Sequence, residues 1–83
     1  MSFKKEVLEL LISVALKITG LPADQITGET RFEEDLHFKS IDYNRVTLAL
    51  EDEYDIEVPY MAFKRNATFN EAADYMTKLT GYL

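Results

Sequence analysis

The chain has no cysteine, no tryptophan and a single histidine, and these absences exclude several kinds of chemistry. Without cysteine there are no disulfides and no thiol of its own, so the fold must come from packing alone. The histidine, His37, has no second histidine or cysteine at metal-ligand spacing, and we expect it to have no role. Neither a Gly-rich phosphate loop nor a nucleophile–base arrangement is present. We therefore expect no catalytic residues and no metal site.

Basic residues are also few, with 9 lysines and arginines against 15 aspartates and glutamates and a net charge of −6. Nucleic-acid binding requires clustered lysine and arginine, which this sequence lacks. No apolar run is long enough to cross a bilayer, and Glu6 and Glu9 interrupt the N-terminal apolar pattern, unlike a signal peptide. We expect a cytoplasmic monomer that inserts into no membrane, binds no nucleic acid and meets partners with basic surfaces.

Helical periodicity organises the first half of the chain. The first helix is predicted from Phe3, after Ser2 as N-cap, to Gly20, which Pro22 follows closely. A long connection over residues 21–39 comes next, and such a loop must be fixed to the core. The residues expected to fix it are Leu21, Ile26, Phe32 and Leu36. Within it, the segment from Thr30 to Glu33 has capping-box spacing and predicts a single helical turn.

Three further helices are predicted after this loop. The second runs from about Ile41 to Tyr54, a short one covers Tyr60 to Arg65, and the last follows the Thr68–Glu71 capping box and ends at Gly81. The expected core face of the second helix is Tyr43, Val46, Thr47, Leu50 and Tyr54, and its opposite face is Ile41, Asn44, Arg45, Leu48 and Asp52. The fold class is therefore all-α: one domain over residues 1–83, with three main helices, one short helix and a long loop after the first helix.

Ser40 lies where the loop joins the second helix, and its hydroxyl has two interpretations. As an N-cap it would accept a backbone N–H and stabilise the helix by about 1 kcal/mol. Alternatively, it would be esterified by a phosphate-linked arm, because a helix N-terminus favours an anion through its free N–H groups and dipole. Local spacing alone favours the N-cap.

The joint spacing of several motifs resembles that of acyl carrier proteins. The motifs are Asp35-Leu36, Ser40-Ile41-Asp42, Leu50-Glu51-Asp52-Glu53-Tyr54, Val58-Pro59, Thr68-Phe69 and Asp74-Tyr75-Met76. The resemblance implies that Ser40 carries 4′-phosphopantetheine, transferred from coenzyme A by a separate phosphopantetheinyl transferase. The thiol of this arm would hold an acyl group as a thioester and present it to acyl-loading and acyl-processing enzymes. The protein itself would not be an enzyme.

The resemblance also implies a docking face and an acyl pocket. The docking face would consist of Ile41, Asp42, Arg45, Leu48, Glu51 and Asp52. The pocket, between the second helix and the short one, would be lined by Val46, Leu50, Phe63 and Ala67. Family members tend to have a small residue at the position of Phe63, and its ring would fill volume that a long acyl chain needs.

Lys39 and Arg45 depart from the family pattern, which has Asp and Glu at these positions. Both reverse charge on the docking helix, although Lys39 could instead contact the phosphodiester. The departures indicate a specialised carrier rather than the housekeeping carrier of fatty acid synthesis. The expected pathway is fatty acid synthesis or specialised lipid or polyketide-type synthesis. Two alternatives stay open. One is an unmodified acidic adaptor that binds a partner through Ile41 and Leu48. The other is a carrier for an amino acid or aryl group, although the run from His37 to Lys39 lacks the glycines of peptidyl carriers.

Overall fold

The computed structural model describes residues 2–81, and this part of the chain contains helices, turns and one isolated β-bridge. The helices are α1 (Phe3–Thr19), α2 (Ser40–Tyr54), α3 (Tyr60–Lys64) and α4 (Phe69–Thr80), with a 3₁₀ turn at Ala23–Gln25. α1 packs against α2 and α4, and α3 packs against α2. The predicted all-α bundle, with three main helices, one short helix and a long loop after the first, is confirmed. Among the helices of residues 2–81, none has both the length and the apolar character of a membrane span.

The helices begin and end where their capping residues predict. The Ser2 hydroxyl accepts an N–H of the first turn of α1 at 3.1 Å. Gly20 adopts a left-handed φ of 71° after α1, and its N–H donates to the Leu16 carbonyl at 2.8 Å. At α4, the Glu71 N–H donates to Thr68 Oγ1 at 3.1 Å, and the Thr68 N–H donates to Glu71 Oε1 at 3.4 Å. These bonds satisfy backbone groups that helix ends leave unpaired.

The capping box predicted at Thr30 is wrong. The Thr30 hydroxyl accepts the N–H of Thr27, which precedes it, at 2.9 Å. A turn does follow, but Asp35 closes it: its Oδ2 accepts the Arg31 N–H at 2.8 Å, and its own N–H donates to the Arg31 carbonyl at 3.1 Å. Thr30 and Glu33 have the spacing of a capping box but do not form its hydrogen bonds, because the Thr30 hydroxyl is already bonded to the N–H of Thr27.

Two backbone hydrogen bonds fix the long loop to the link between α3 and α4. The Phe32 N–H donates to the Ala67 carbonyl at 3.1 Å, and the Phe69 N–H donates to the Thr30 carbonyl at 3.2 Å. Together they form an isolated antiparallel bridge. The middle of the loop is thereby held at the start of α4.

Phe32 lies at the centre of an aromatic cluster, and its side chain is fully buried. Its ring stacks on Phe69 at a centroid distance of 4.2 Å. It also packs at tilted angles against Phe38 at 5.4 Å, Tyr43 at 5.7 Å and Phe63 at 6.0 Å. One side chain of the loop therefore contacts α2, α3 and α4.

Of the other three residues expected to fix the loop, two are buried or half-buried and one is exposed. Ile26 is buried and Leu36 half-buried, as predicted. The prediction for Leu21 is wrong, since its side chain is 40% exposed. Leu21 lies two residues after the end of α1, where its N–H bonds to Thr19 Oγ1 at 3.3 Å. Phe38, which the sequence pattern did not single out, is buried instead.

Replacing Phe32 with alanine should lower the free energy of unfolding by about 3–5 kcal/mol, because the change removes the central ring of the core and leaves a cavity. Urea denaturation followed by circular dichroism measures this difference. Leu48→Ala is the control: its side chain is 58% exposed. It should change the free energy of unfolding by less than about 0.5 kcal/mol. If the two variants are equally stable, Phe32 is not the centre of the core.

Candidate functional site

Ser40 is the first residue of α2, and its side chain is exposed. The N-cap position is Lys39, with extended backbone at φ −113°. Its N–H donates to Asp42 Oδ2 at 2.9 Å, so a carboxylate closes the start of the helix. Within residues 2–81 the Ser40 hydroxyl has no hydrogen-bond partner. Because the N-cap of α2 is Lys39, the N-cap interpretation of Ser40 is wrong.

The first turn of α2 fits an attached anion. The Asp42 N–H bonds to the Lys39 carbonyl at 2.9 Å, whereas the N–H groups of Ser40 and Ile41 have no acceptor in the part of the chain that the structure describes. Such free N–H groups, at the positive end of a helix dipole, favour a negative charge. The exposed Lys39 adds a cation one residue away. A phosphodiester on Ser40 would meet these groups, with the Asp42 carboxylate in the same turn already bonded to the Lys39 N–H.

Aromatic side chains fix the backbone on either side of Ser40. Phe38 is buried, and its N–H donates to the Phe32 carbonyl at 3.0 Å. Its ring meets that of Tyr43 edge to face at 5.3 Å. Ser40 therefore lies between two residues that are buried in the core, and they fix the backbone that carries its exposed hydroxyl.

His37 has a positive φ of 57°, in the left-handed region that few residues other than glycine adopt. Its N–H donates to the Glu33 carbonyl at 3.0 Å, which holds this conformation. Histidine therefore adopts here a conformation for which glycine is the usual choice. The missing glycine before Ser40 consequently does not, by itself, distinguish an acyl carrier from an aminoacyl carrier.

Tyr43 is a buried titratable group three residues after Ser40. Burial, and secondarily the charge of Glu33, raise the pKa of Tyr43 well above its usual value. Its phenol is therefore neutral at physiological pH, and its ring faces the Lys64 ammonium at 5.8 Å from the centroid. These contacts make Tyr43 an anchor for α2 and not a proton donor or acceptor for chemistry at Ser40.

The outward face of α2 carries exposed apolar side chains, as predicted. Ile41 is 59% exposed and Leu48 is 58% exposed. Their neighbours on this face, also exposed, are Asn44, Arg45 and Asp52. Met61 on α3 is exposed as well, and sequence reasoning missed it. Its exposure could have been predicted from its position two residues before the core residue Phe63, because residues two apart do not share a helix face.

Two residues assigned to the docking face have structural hydrogen bonds. Asp42 is half-buried and accepts the Lys39 N–H. Glu51 is half-buried, and its Oε2 accepts the Val58 N–H at 2.8 Å, which fixes the link from α2 to α3. In residues 2–81, no three acidic or histidine side chains are grouped so that they could hold a metal ion. Any docking role of these carboxylates stays a prediction.

The residues assigned to the acyl pocket do not all come together. Val46, Leu50 and Phe63 are buried, whereas Ala67 is exposed. Ala67 lies in the bridge with the long loop, where its carbonyl accepts the Phe32 N–H, and this keeps its side chain at the surface. The ring of Phe63 turns inward against Phe32, so it occupies interior volume.

Comparison with known proteins finds one matching family model and several similar proteins. A family model described as the phosphopantetheine attachment site matches residues 9–76. An acyl carrier protein of Thermobifida fusca (strain YX) is 29% identical over 75 residues, covering 90% of this chain and 95% of that protein. An acyl carrier protein of Chlorobium phaeobacteroides (strain DSM 266 / SMG 266 / 2430) is 31% identical over 75 residues, covering 90% of this chain and 91% of that protein.

Proposed function

Since the chain belongs to the acyl carrier protein family, whose members are carriers of a covalent 4′-phosphopantetheine group and not enzymes, we propose that Ser40 is the attachment site. The observation that supports this proposal is the exposed hydroxyl of Ser40, which has no structural bond and lies beside free N–H groups. When bound, the group supplies a thiol that holds an acyl group as a thioester. Ser40 would be modified by a separate phosphopantetheinyl transferase with coenzyme A as donor.

The residues around Ser40 would hold and orient the attachment point. The N–H groups of Ser40 and Ile41, together with the Lys39 ammonium, would stabilise the phosphodiester charge. Phe38 and Tyr43 fix the backbone from which the arm starts. Tethering a cargo in this way replaces a bimolecular encounter by an intramolecular one and raises its effective concentration at a docked enzyme. The chain would therefore present acyl groups to partner enzymes without acting on them.

Incubation with coenzyme A and a broad-range phosphopantetheinyl transferase should add the mass of one phosphopantetheine, and Ser40→Ala should abolish the addition. Intact-protein mass spectrometry measures the result. Ser13→Ala is the control, because Ser13 is an exposed serine on α1 and should leave the modification unchanged. A parent protein that is never modified would support the adaptor alternative, and modification that persists in Ser40→Ala would place the site elsewhere.

The outward face of α2 is the surface we propose for partner docking. Ile41 and Leu48 are its exposed apolar residues, flanked by Arg45 and Asp52. Central apolar contacts usually contribute most of the binding energy, whereas rim charges adjust rate and register. Asp52 is the better charged contact to test, because replacing Glu51 would also remove its hydrogen bond to Val58.

Leu48→Ala should weaken binding to a cognate enzyme by about fivefold or more, as expected for an apolar contact worth about 1 kcal/mol. Glu57→Ala should have a smaller effect, because Glu57 lies outside α2 and contributes only charge. Surface plasmon resonance with the holo protein compares the two, and thermal melts confirm that both fold. Equal losses in the two variants would argue against this face.

The charges of Lys39 and Arg45 support a further part of the proposal, that the carrier serves specialised lipid or polyketide-type synthesis. Both side chains are exposed at the start of α2. An enzyme surface whose lysines and arginines pair with acids at these positions would face like charges here, which disfavours binding. The cognate enzymes would instead have neutral or acidic groups opposite Lys39 and Arg45.

The holo carrier without substitutions should be a poor substrate for housekeeping fatty acid synthase enzymes, and Lys39→Asp with Arg45→Glu should improve kcat/KM by about two- to tenfold, as expected for exposed charge pairs. The steady-state kinetics of one housekeeping elongation enzyme measure this. Lys17→Asp with Lys78→Glu makes the same net charge change on exposed residues of α1 and α4, and should have little effect. Parent activity equal to that of a housekeeping carrier would refute the specialisation.

A further inference from the structure

A groove of about 350 Å³ opens beside Ser40, between the end of α1 and the loop that leads into α2. Its lining residues are Ile18, Thr19, Leu21, Asp35, Leu36, His37, Phe38 and Asp42. Phe38 and Asp42 lie two residues to either side of Ser40, so a group attached there would start close to the groove. The volume falls in the range of pockets that bind small molecules.

We propose that this groove is the resting site of the phosphopantetheine arm, an inference that rests on attachment at Ser40. The arm is the occupant that the position of the groove favours, because it is covalently tethered within one helical turn of the groove lining. Tethering gives an effective concentration in the millimolar range. A groove affinity too weak to capture a free small molecule is therefore enough to hold the arm for much of the time.

The chemistry of the groove matches the neutral part of the arm, which has two amides, a hydroxyl and a dimethyl group. Asp35 and Asp42 each use Oδ2 to accept a backbone N–H, at 2.8 and 2.9 Å. These bonds orient both carboxylates, and in the described residues nothing donates to either Oδ1. Each Oδ1 can accept an amide N–H of the arm. The side chains of Ile18 and Leu36 supply apolar surface for the dimethyl group.

In the part of the chain that the structure describes, side chains fill the interior region where the cargo was expected. Phe63, the residue expected to limit the acyl pocket, is fully buried and packs on Phe32 at 6.0 Å. Val46 and Leu50 are buried beside it in the core. Because interiors are close-packed, an acyl chain could enter only by displacing these side chains. The exposed Leu21, at the edge of the groove, instead gives the start of a cargo an apolar surface without repacking.

Amide and methyl NMR spectra of the apo, holo and octanoyl forms test this proposal. In the holo form we expect amide shift changes at Thr19 and His37 and nuclear Overhauser contacts from the dimethyl group of the arm to Ile18 and Leu36. In the octanoyl form, contacts should reach Leu21. Shift changes confined to residues 39–42 would overturn the proposal, because the arm would then be free in solvent. Large changes at Val46, Leu50 and Phe63, without groove contacts, would also overturn it and place the cargo in the core.

A pair of matched variants separates the groove from general effects. Leu21→Ser should abolish the octanoyl contacts at the groove, whereas Leu79→Ser should retain them, since the two leucines are 40% and 38% exposed and Leu79 lies on α4. Equal behaviour of the two variants would overturn the assignment. Intact mass of each sample distinguishes the two levels of the proposal: an unmodified Ser40 refutes attachment and the groove together, and a modified Ser40 without groove contacts refutes the groove alone.

Discussion

The ring of Phe32 packs between the start of α4 and the segment that enters α2, and its backbone N–H bonds to the link between α3 and α4. A long loop loses much conformational entropy when it is ordered, and few other residues of this loop are buried. The same ring contacts Phe38, which anchors the backbone just before Ser40. One buried side chain in a loop thus fixes both the packing of the helices and the position of Ser40, the proposed attachment site.

The sequence allowed the helices to be predicted because their ends depend on local interactions. Ser2, Gly20 and the Thr68–Glu71 pair bond within a few residues of themselves, so spacing alone identifies them. The loop could not be predicted in the same way. Leu21 and Phe38 are both apolar residues near a helix end, and spacing alone does not distinguish them, because Phe38 is buried by the rings of Phe32 and Tyr43 in the folded chain.

At the candidate site, too, hydrogen bonds between residues close in sequence could be predicted and those between more distant residues could not. Asp42 accepts the N–H of Lys39, three residues before it, just as Glu71 accepts the N–H of Thr68 at α4. The three-residue spacing would have predicted the Asp42 bond if Lys39 had been taken as the N-cap. The bond from Glu51 to Val58 spans a helix end and a turn, for which no local rule exists. The proposal of attachment at Ser40 came from the joint spacing of family motifs. Its free hydroxyl became clear only from the structure.

The bridge between the loop and the start of α4 has a consequence for biosynthesis. Phe32 and Ala67 are distant in the sequence, so their hydrogen bond can form only after nearly the whole chain is available. A chain still emerging from the ribosome without α4 lacks the Phe69 ring on which Phe32 stacks, so the long loop is not yet fixed to the start of α4. Ser40 then reaches its ordered setting only after synthesis is nearly complete.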